Sequence, residues 1–147
     1  MNNPVATRAN PQRLLWIRAA GIVGTLFGLL TLREGGAVLF VDGPARAAAG
    51  DFVPFVLWFN FLAGFVYVVA GLGLWFRQQW AARVALGVAV ATLIVFAAFG
   101  WHVVSGGAHE TRTVVAMTLR STVWLVIAAI GWHALMQEPT HSPMEAA

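Results

Sequence analysis

W-H-V-V-S-G-G-A-H-E-T-R-T-V-V-A-M-T-L-R-S-T-V-W, residues 101–124, joins two long apolar segments through a short glycine-rich turn. It holds two of the four histidines, one acid and two arginines, and Arg120 falls eight residues after Arg112. At 1.5 Å per residue that places a guanidinium about 12 Å down the second segment. An arginine at that depth belongs to a membrane protein whose interior gives the charge a reason.

The rest of the chain agrees. Of 147 residues, 59% are hydrophobic and 10% charged, with a mean hydropathy of +0.74. So few charges do not cover a water-facing surface, since soluble domains carry about 25%. Four stretches are long and apolar enough to span a bilayer core of about 30 Å: about 14–32, 54–76, 84–104 and 112–136. Residues 1–13 and 137–147 read as polar tails. The expected fold is all-α, an antiparallel four-helix transmembrane bundle.

Arginines are expected to orient it. Arg8, Arg13, Arg18, Arg77 and Arg83 lie on one side, and Arg33, Arg46, Arg112 and the deeper Arg120 on the other. The first side reads as cytoplasmic, with both termini inside. Trp16, Trp75, Trp80 and Trp132 fall at that boundary, and Trp58 and Trp101 at the opposite one, as two aromatic belts. Trp124 is mid-span and needs an interior reason. The net charge of +3 and pI of 11.1 reflect arginines flanking apolar segments, not nucleic-acid binding. The absence of cysteine removes thiol redox chemistry, thiolate metal sites and disulfides.

Helix faces follow from periodicity. Gly21, Gly24, Gly28 and Thr31 recur at three- and four-residue steps, and Gly24–Gly28 is a GxxxG pair that lets a neighbouring helix approach. Asn60, Gly64, Tyr67 and Gly71 fall on one face of the second span. Gly87, Ala91, Ala98 and His102 share a face of the third. Thr113, Met117, Arg120 and Trp124 share a face of the fourth, which should point into the bundle. The long connection 33–53 contains Pro44 followed by A-R-A-A-A, the start of a short interfacial helix.

Together these residues predict an outward-facing polar cavity walled by Arg33, Glu34, Asn60, His102, Glu110, Arg112 and Arg120, with Glu110 and Glu34 as acidic partners for Arg120. A structural network of ion pairs and hydrogen bonds accounts for the set without a ligand. Three ligand readings stand beside it. His102, His109, Glu110 and Met117 would suit a transition metal such as copper if all four converged, although the neighbouring arginines oppose a cation. A small anionic or polar solute would use Arg120 and Arg112 as counter-charges, with Glu110 or His102 responding to protons. Four spans would then call for a homo-oligomer. Haem needs axial ligands facing each other, and His102 and His133 lie at opposite ends. No nucleophile–base set, H-E-x-x-H or G-x-S-x-G occurs, so an enzyme is not expected.

The middle hairpin, A-G-F-V-Y-V-V-A-G-L-G-L-W-F-R-Q-Q-W-A-A-R-V-A (residues 63–85), resembles the DoxX-like group of small four-span bacterial membrane proteins. The resemblance implies a multi-pass inner-membrane protein, often an accessory to a redox or stress system. The sequence thus predicts a non-enzymatic protein with an outward-facing pocket, acting as an accessory or as a small-ligand- or metal-binding component. Its alternatives are an oligomeric proton- or ion-coupled transporter and a structural subunit of a larger membrane complex.

Overall fold

A computed structural model describes residues 11–41 and 43–136. The expected tails lie outside these residues, apart from residues 11–13, which open the first helix. Helices α1 (Pro11–Phe40), α3 (Pro54–Trp75), α4 (Gln79–Val104) and α5 (Thr111–Leu135) are each long and apolar enough to cross a membrane. The short α2 (Pro44–Ala49) starts at the proline that the sequence marked. The four long helices form an antiparallel bundle in which α1 packs on α3, α3 on α4, α4 on α5 and α5 back on α1. One end of the bundle carries α2 and the α4–α5 turn, and is called here the loop end. The other carries the tight α3–α4 turn, the hairpin end.

Two helices are longer than the expected spans. α1 continues to Phe40, so Arg33 and Glu34 stand on a helix and not in a loop. Its 30 residues cover about 45 Å, more than a hydrocarbon core requires. Both residues are good helix formers, and headgroup solvation removes the penalty that ends a span but not the helix. The extension is held by rings: Phe40 lies 6.0 Å from Trp58 and 5.3 Å from Phe61, edge to face. α4 starts at Gln79, several residues before the expected boundary, because the preceding turn uses few residues. In that turn Gln78 N donates to Gly73 O and Arg77 N to Leu74 O, with Arg77 at φ 58°. This is a Schellman closure, which normally prefers glycine at the left-handed position. The α4–α5 turn repeats it with Gly106 at φ 83°, where Gly107 N donates to His102 O.

The tightest seam is α1 against α3. A Cβ on Gly21 would stand 2.8 Å from Gly71 O, and one on Gly28 would stand 2.8 Å from Val68 N and 2.9 Å from Gly64 O. The backbones touch, so dispersion and Cα–H···O contacts replace the hydrophobic effect that lipid does not supply. Gly24 is less critical, its nearest neighbour being Gly71 Cα at 3.4 Å. The GxxxG reading therefore shifts by one turn, to Gly21 and Gly28 on α1 facing Gly64 and Gly71 on α3.

Two apolar clusters fill the interior. The larger, toward the hairpin end, includes Ile17, Leu74, Ala82, Ala85, Ile127 and Leu135. The smaller, toward the loop end, is Val53, Val56, Phe99 and Met117. Outward, Leu26, Leu30, Leu62, Val69, Ile94, Leu119 and Val126 are exposed, as a lipid-facing surface requires. Trp16, Trp80 and Trp132 are exposed at the hairpin end and Trp58 and Trp101 at the loop end.

Gly28→Val is expected to weaken the bundle by about 2–3 kcal/mol through overpacking, read as lower resistance to thermal or SDS unfolding in detergent. Gly100→Ala, whose Cβ meets nothing within 4 Å, should leave stability unchanged or slightly raised. Equal effects of the two would show that the α1–α3 seam does not hold the fold.

Candidate functional site

Between the two apolar clusters lies a polar layer. Arg120 is 8% exposed, on the α5 face that also buries Met117 and Trp124. Nine residues beyond the start of α5, it sits about 14 Å inside the helix. Its Nη1 points at Met117 Sδ, 3.6 Å away, and its guanidinium lies over the Phe27 ring at 5.7 Å. Its Nε is buried without a hydrogen-bond partner. Asn60 Nδ2 donates to the same sulfur at 3.8 Å, while Asn60 Oδ1 has no partner. A thioether is a weak acceptor, so it compensates neither donor well.

Two aromatic residues complete the layer. Tyr67 and Trp124 are fully buried and stack with centroids 4.5 Å apart. This is the interior reason that Trp124 required. Trp124 Nε1 is buried without a hydrogen-bond partner, and the buried hydroxyls of Tyr67 and Thr92 have none but each other. Thr92 and Arg120 both neighbour the phenol. The three atoms come from α3, α4 and α5, and Asn60 Oδ1 and Arg120 Nε join them. Buried polar groups are almost always paired, so such a concentration at mid-membrane is unusual.

The hydroxyls elsewhere on α5 provide the contrast. Ser121 donates to Met117 O at 2.8 Å, Thr118 to Val114 O at 2.9 Å and Thr122 to Thr118 O at 2.9 Å. Each is satisfied by its own helix, as serine and threonine in membrane helices commonly are. Tyr67 and Trp124 are too long and too rigid to reach back to their own backbone.

Of the residues singled out from sequence, Asn60, Met117 and Arg120 come together. Arg33 and Glu34 are exposed on α1, and Glu34 acts on Arg120 only as a field through space. Glu110 does not reach Arg120. It is half-buried at the N-terminus of α5 and accepts a hydrogen bond from Asp51 N at 3.2 Å. Its carboxylate also packs against Gly50, at φ 58°, where a Cβ would overlap it. Arg112 is exposed. Neither expected acid is therefore a buried partner of the guanidinium, and the layer is a core feature of the bundle, not the floor of one cavity walled by all seven residues.

The four residues considered for copper are spread out. His102 Nε2 lies 3.2 Å from Ala108 O, and His109 Nδ1 3.1 Å from Gly107 O. Both rings brace the turn that they flank. Met117 is buried below, its sulfur faced by two N–H groups. Among the described residues, no three His, Cys, Asp or Glu side chains are grouped to hold a metal ion.

Sequence reasoning found Arg120 and Asn60 from the cost of burying them, but missed Thr92, and it placed Tyr67 on an inward face without assigning it to the site. A single threonine in an apolar span carries no signal of its own. Tyr67 had one: it is the chain's lone tyrosine and lies far from either aromatic belt.

No protein-family model, characterised protein or solved structure matches this chain.

Glu110→Ala removes the acceptor that ties the loop before α3 to the start of α5. Amide exchange at Asp51 is expected to rise about fivefold to tenfold, matching the loss of a hydrogen bond of about 1 kcal/mol, with little change at the α1–α3 seam. Unchanged exchange at Asp51 would mean that the tie contributes nothing.

Proposed function

We propose that this small integral membrane protein binds an anionic, hydrogen-bond-accepting ligand at the Arg120 layer. The observation that carries this reading is an imbalance of donors. Arg120 Nε and Trp124 Nε1 are buried without partners one turn apart on α5, the Tyr67 and Thr92 hydroxyls beside them have none but each other, and the cation lies over Phe27 and against a thioether. A structural network would close its own hydrogen bonds. This one leaves them open around a positive charge, and an anion would satisfy charge and donors together.

The preferred role is that of a non-enzymatic accessory or ligand-binding component of a bacterial inner membrane, with both termini inside and the loop end outward. The arginine count supports that orientation, and the resemblance of the middle hairpin to DoxX-like proteins supports the location and the accessory role. The layer holds donors but no nucleophile paired with a base, which favours binding over chemistry.

An unpaired buried charge weakens a fold, whereas an apolar residue of similar length does not. Arg120→Met is therefore expected to raise the thermal midpoint in detergent by several degrees and to abolish stabilisation by ligand. The test titrates wild type and variant with a carboxylate series from acetate to octanoate, beside inorganic phosphate and sulfate. Wild type should be stabilised by at least one anion, as any ligand of the native state stabilises it, and the variant by none. A lower midpoint in Arg120→Met, with no anion affecting the wild type, would identify a structural arginine and overturn the reading.

A further inference from the structure

Helices α3 and α4 meet closely at the hairpin end, where Gly73 lies against Trp80 and Ala81. Toward mid-membrane they part and leave a groove of about 450 Å³, walled by Phe59, Ala63, Tyr67, Gly87, Val88 and Ala91. Its rim is open to the bilayer, since Leu62 and Val66 beside it are exposed. The chain fills none of it from Gly87, whose Cβ would meet nothing within 4 Å. No charged side chain lines it. Such a groove suits an apolar chain, and its volume lies within the range of small-molecule sites.

One residue links the groove to the polar layer. Tyr67 lines the groove, is fully buried and packs at a tilt against Trp124, and has its hydroxyl beside Thr92 and near Arg120. The phenol is thus a partition with an apolar volume on one side and unpaired donors on the other. Thr92 is the one hydrogen-bonding group beside its hydroxyl, and nothing ties it to the helix backbone. We infer that the ligand of the Arg120 layer is a bilayer-resident amphiphile, a single apolar chain with an anionic head, which enters between α3 and α4. The chain occupies the groove, and the head passes the Tyr67 phenol to meet Arg120, Thr92 and Trp124. A helix from a second copy could cover the groove, but it would leave the buried donors and the cation unmatched. A tailed anion accounts for both halves.

This inference rests on the anion reading of the layer, and its test separates the two. The full chain is placed in nanodiscs of phosphatidylcholine and photolysed with a palmitate analogue carrying a mid-chain diazirine. Labelled peptides are mapped by mass spectrometry, with oleate and oleyl alcohol as competitors. Label is expected on the α3 and α4 residues that wall the groove, competed by oleate at concentrations about tenfold lower than by oleyl alcohol, the factor that one charge-assisted hydrogen bond supplies. Gly87→Leu, which fills open space without meeting the core, should remove the label at an unchanged thermal midpoint. Arg120→Met should keep label in the groove but lose the preference for oleate. Label that persists in Gly87→Leu, or that scatters over the lipid-facing surface, would overturn lateral entry, and anion stabilisation of the wild type would then leave a soluble ligand at the layer. Equal competition by both lipids in wild type would overturn the anionic head of a bilayer-resident ligand, and the soluble-anion titration alone would then decide the reading of the layer.

Discussion

The bundle depends on backbone meeting backbone between α1 and α3. In water, burying Leu or Ile would drive such a pairing, but inside lipid the helix exteriors are already in apolar surroundings. What remains is close contact, which requires that side chains be missing along a stripe. Gly21 and Gly28 on one helix and Gly64 and Gly71 on the other supply that stripe, with carbonyl oxygens in reach of the opposing Cα positions. The seam sets the register of α1 against α3. That register places Phe27 beneath the guanidinium and Tyr67 against Trp124. A shift of one turn would separate the aromatic floor from the charge above it.

On this scaffold the interior is divided by polarity. Methyl and ring surfaces pack at both ends of the core, and between them lies a belt of polar groups short of partners, with two N–H donors, Arg120 Nε and Trp124 Nε1, that have no acceptor. The same helix shows that this is not a general feature of its polar residues, because Ser121, Thr118 and Thr122 each find a carbonyl one turn back. Apart from Thr92, the unpaired groups are those whose length carries them past their own backbone into the centre. Their cost in lipid is high, and a fold selected for stability alone would have apolar residues there.

Much of the architecture was legible because lipid acts as a strict filter. Four apolar stretches of bilayer length leave few other folds, and glycines marked the packed faces of α1 and α3 and tryptophans the belts. On α4 the expected face of Gly87, Ala91, Ala98 and His102 is not the packed one, since Gly87 and Ala98 are exposed and Ala85, Ala89, Thr92 and Phe99 are buried. Helix ends were less legible. Arg33 and Glu34 read as a span boundary, yet a helix does not stop where the hydrocarbon does, and Phe40 found rings on α3 to pack against. The site was legible where burial is costly, at Arg120 and Asn60. It was illegible where function and fold use the same residue types. His102 and Glu110 look like ligands in a string of letters, but in space they close a turn and tie a loop. Thr92 looks like filler, but it is one of the five groups with an unmet hydrogen bond.

The Glu110–Asp51 tie has a mechanical consequence. The bundle is strongest within the pairs α1–α3 and α4–α5, and looser along the two seams between them. Its packing therefore divides it into two slabs, each a pair of helices. The Schellman turn at Arg77 is a pivot joining them at one face of the membrane. The tie is a clasp at the opposite face, because Asp51 leads into the first slab and Glu110 starts the last helix of the second. The pivot and the clasp thus fasten the two slabs at opposite ends of the seam between them. What lies between those two fastenings, along α3 and α4, faces sideways into the bilayer and not end-on toward water.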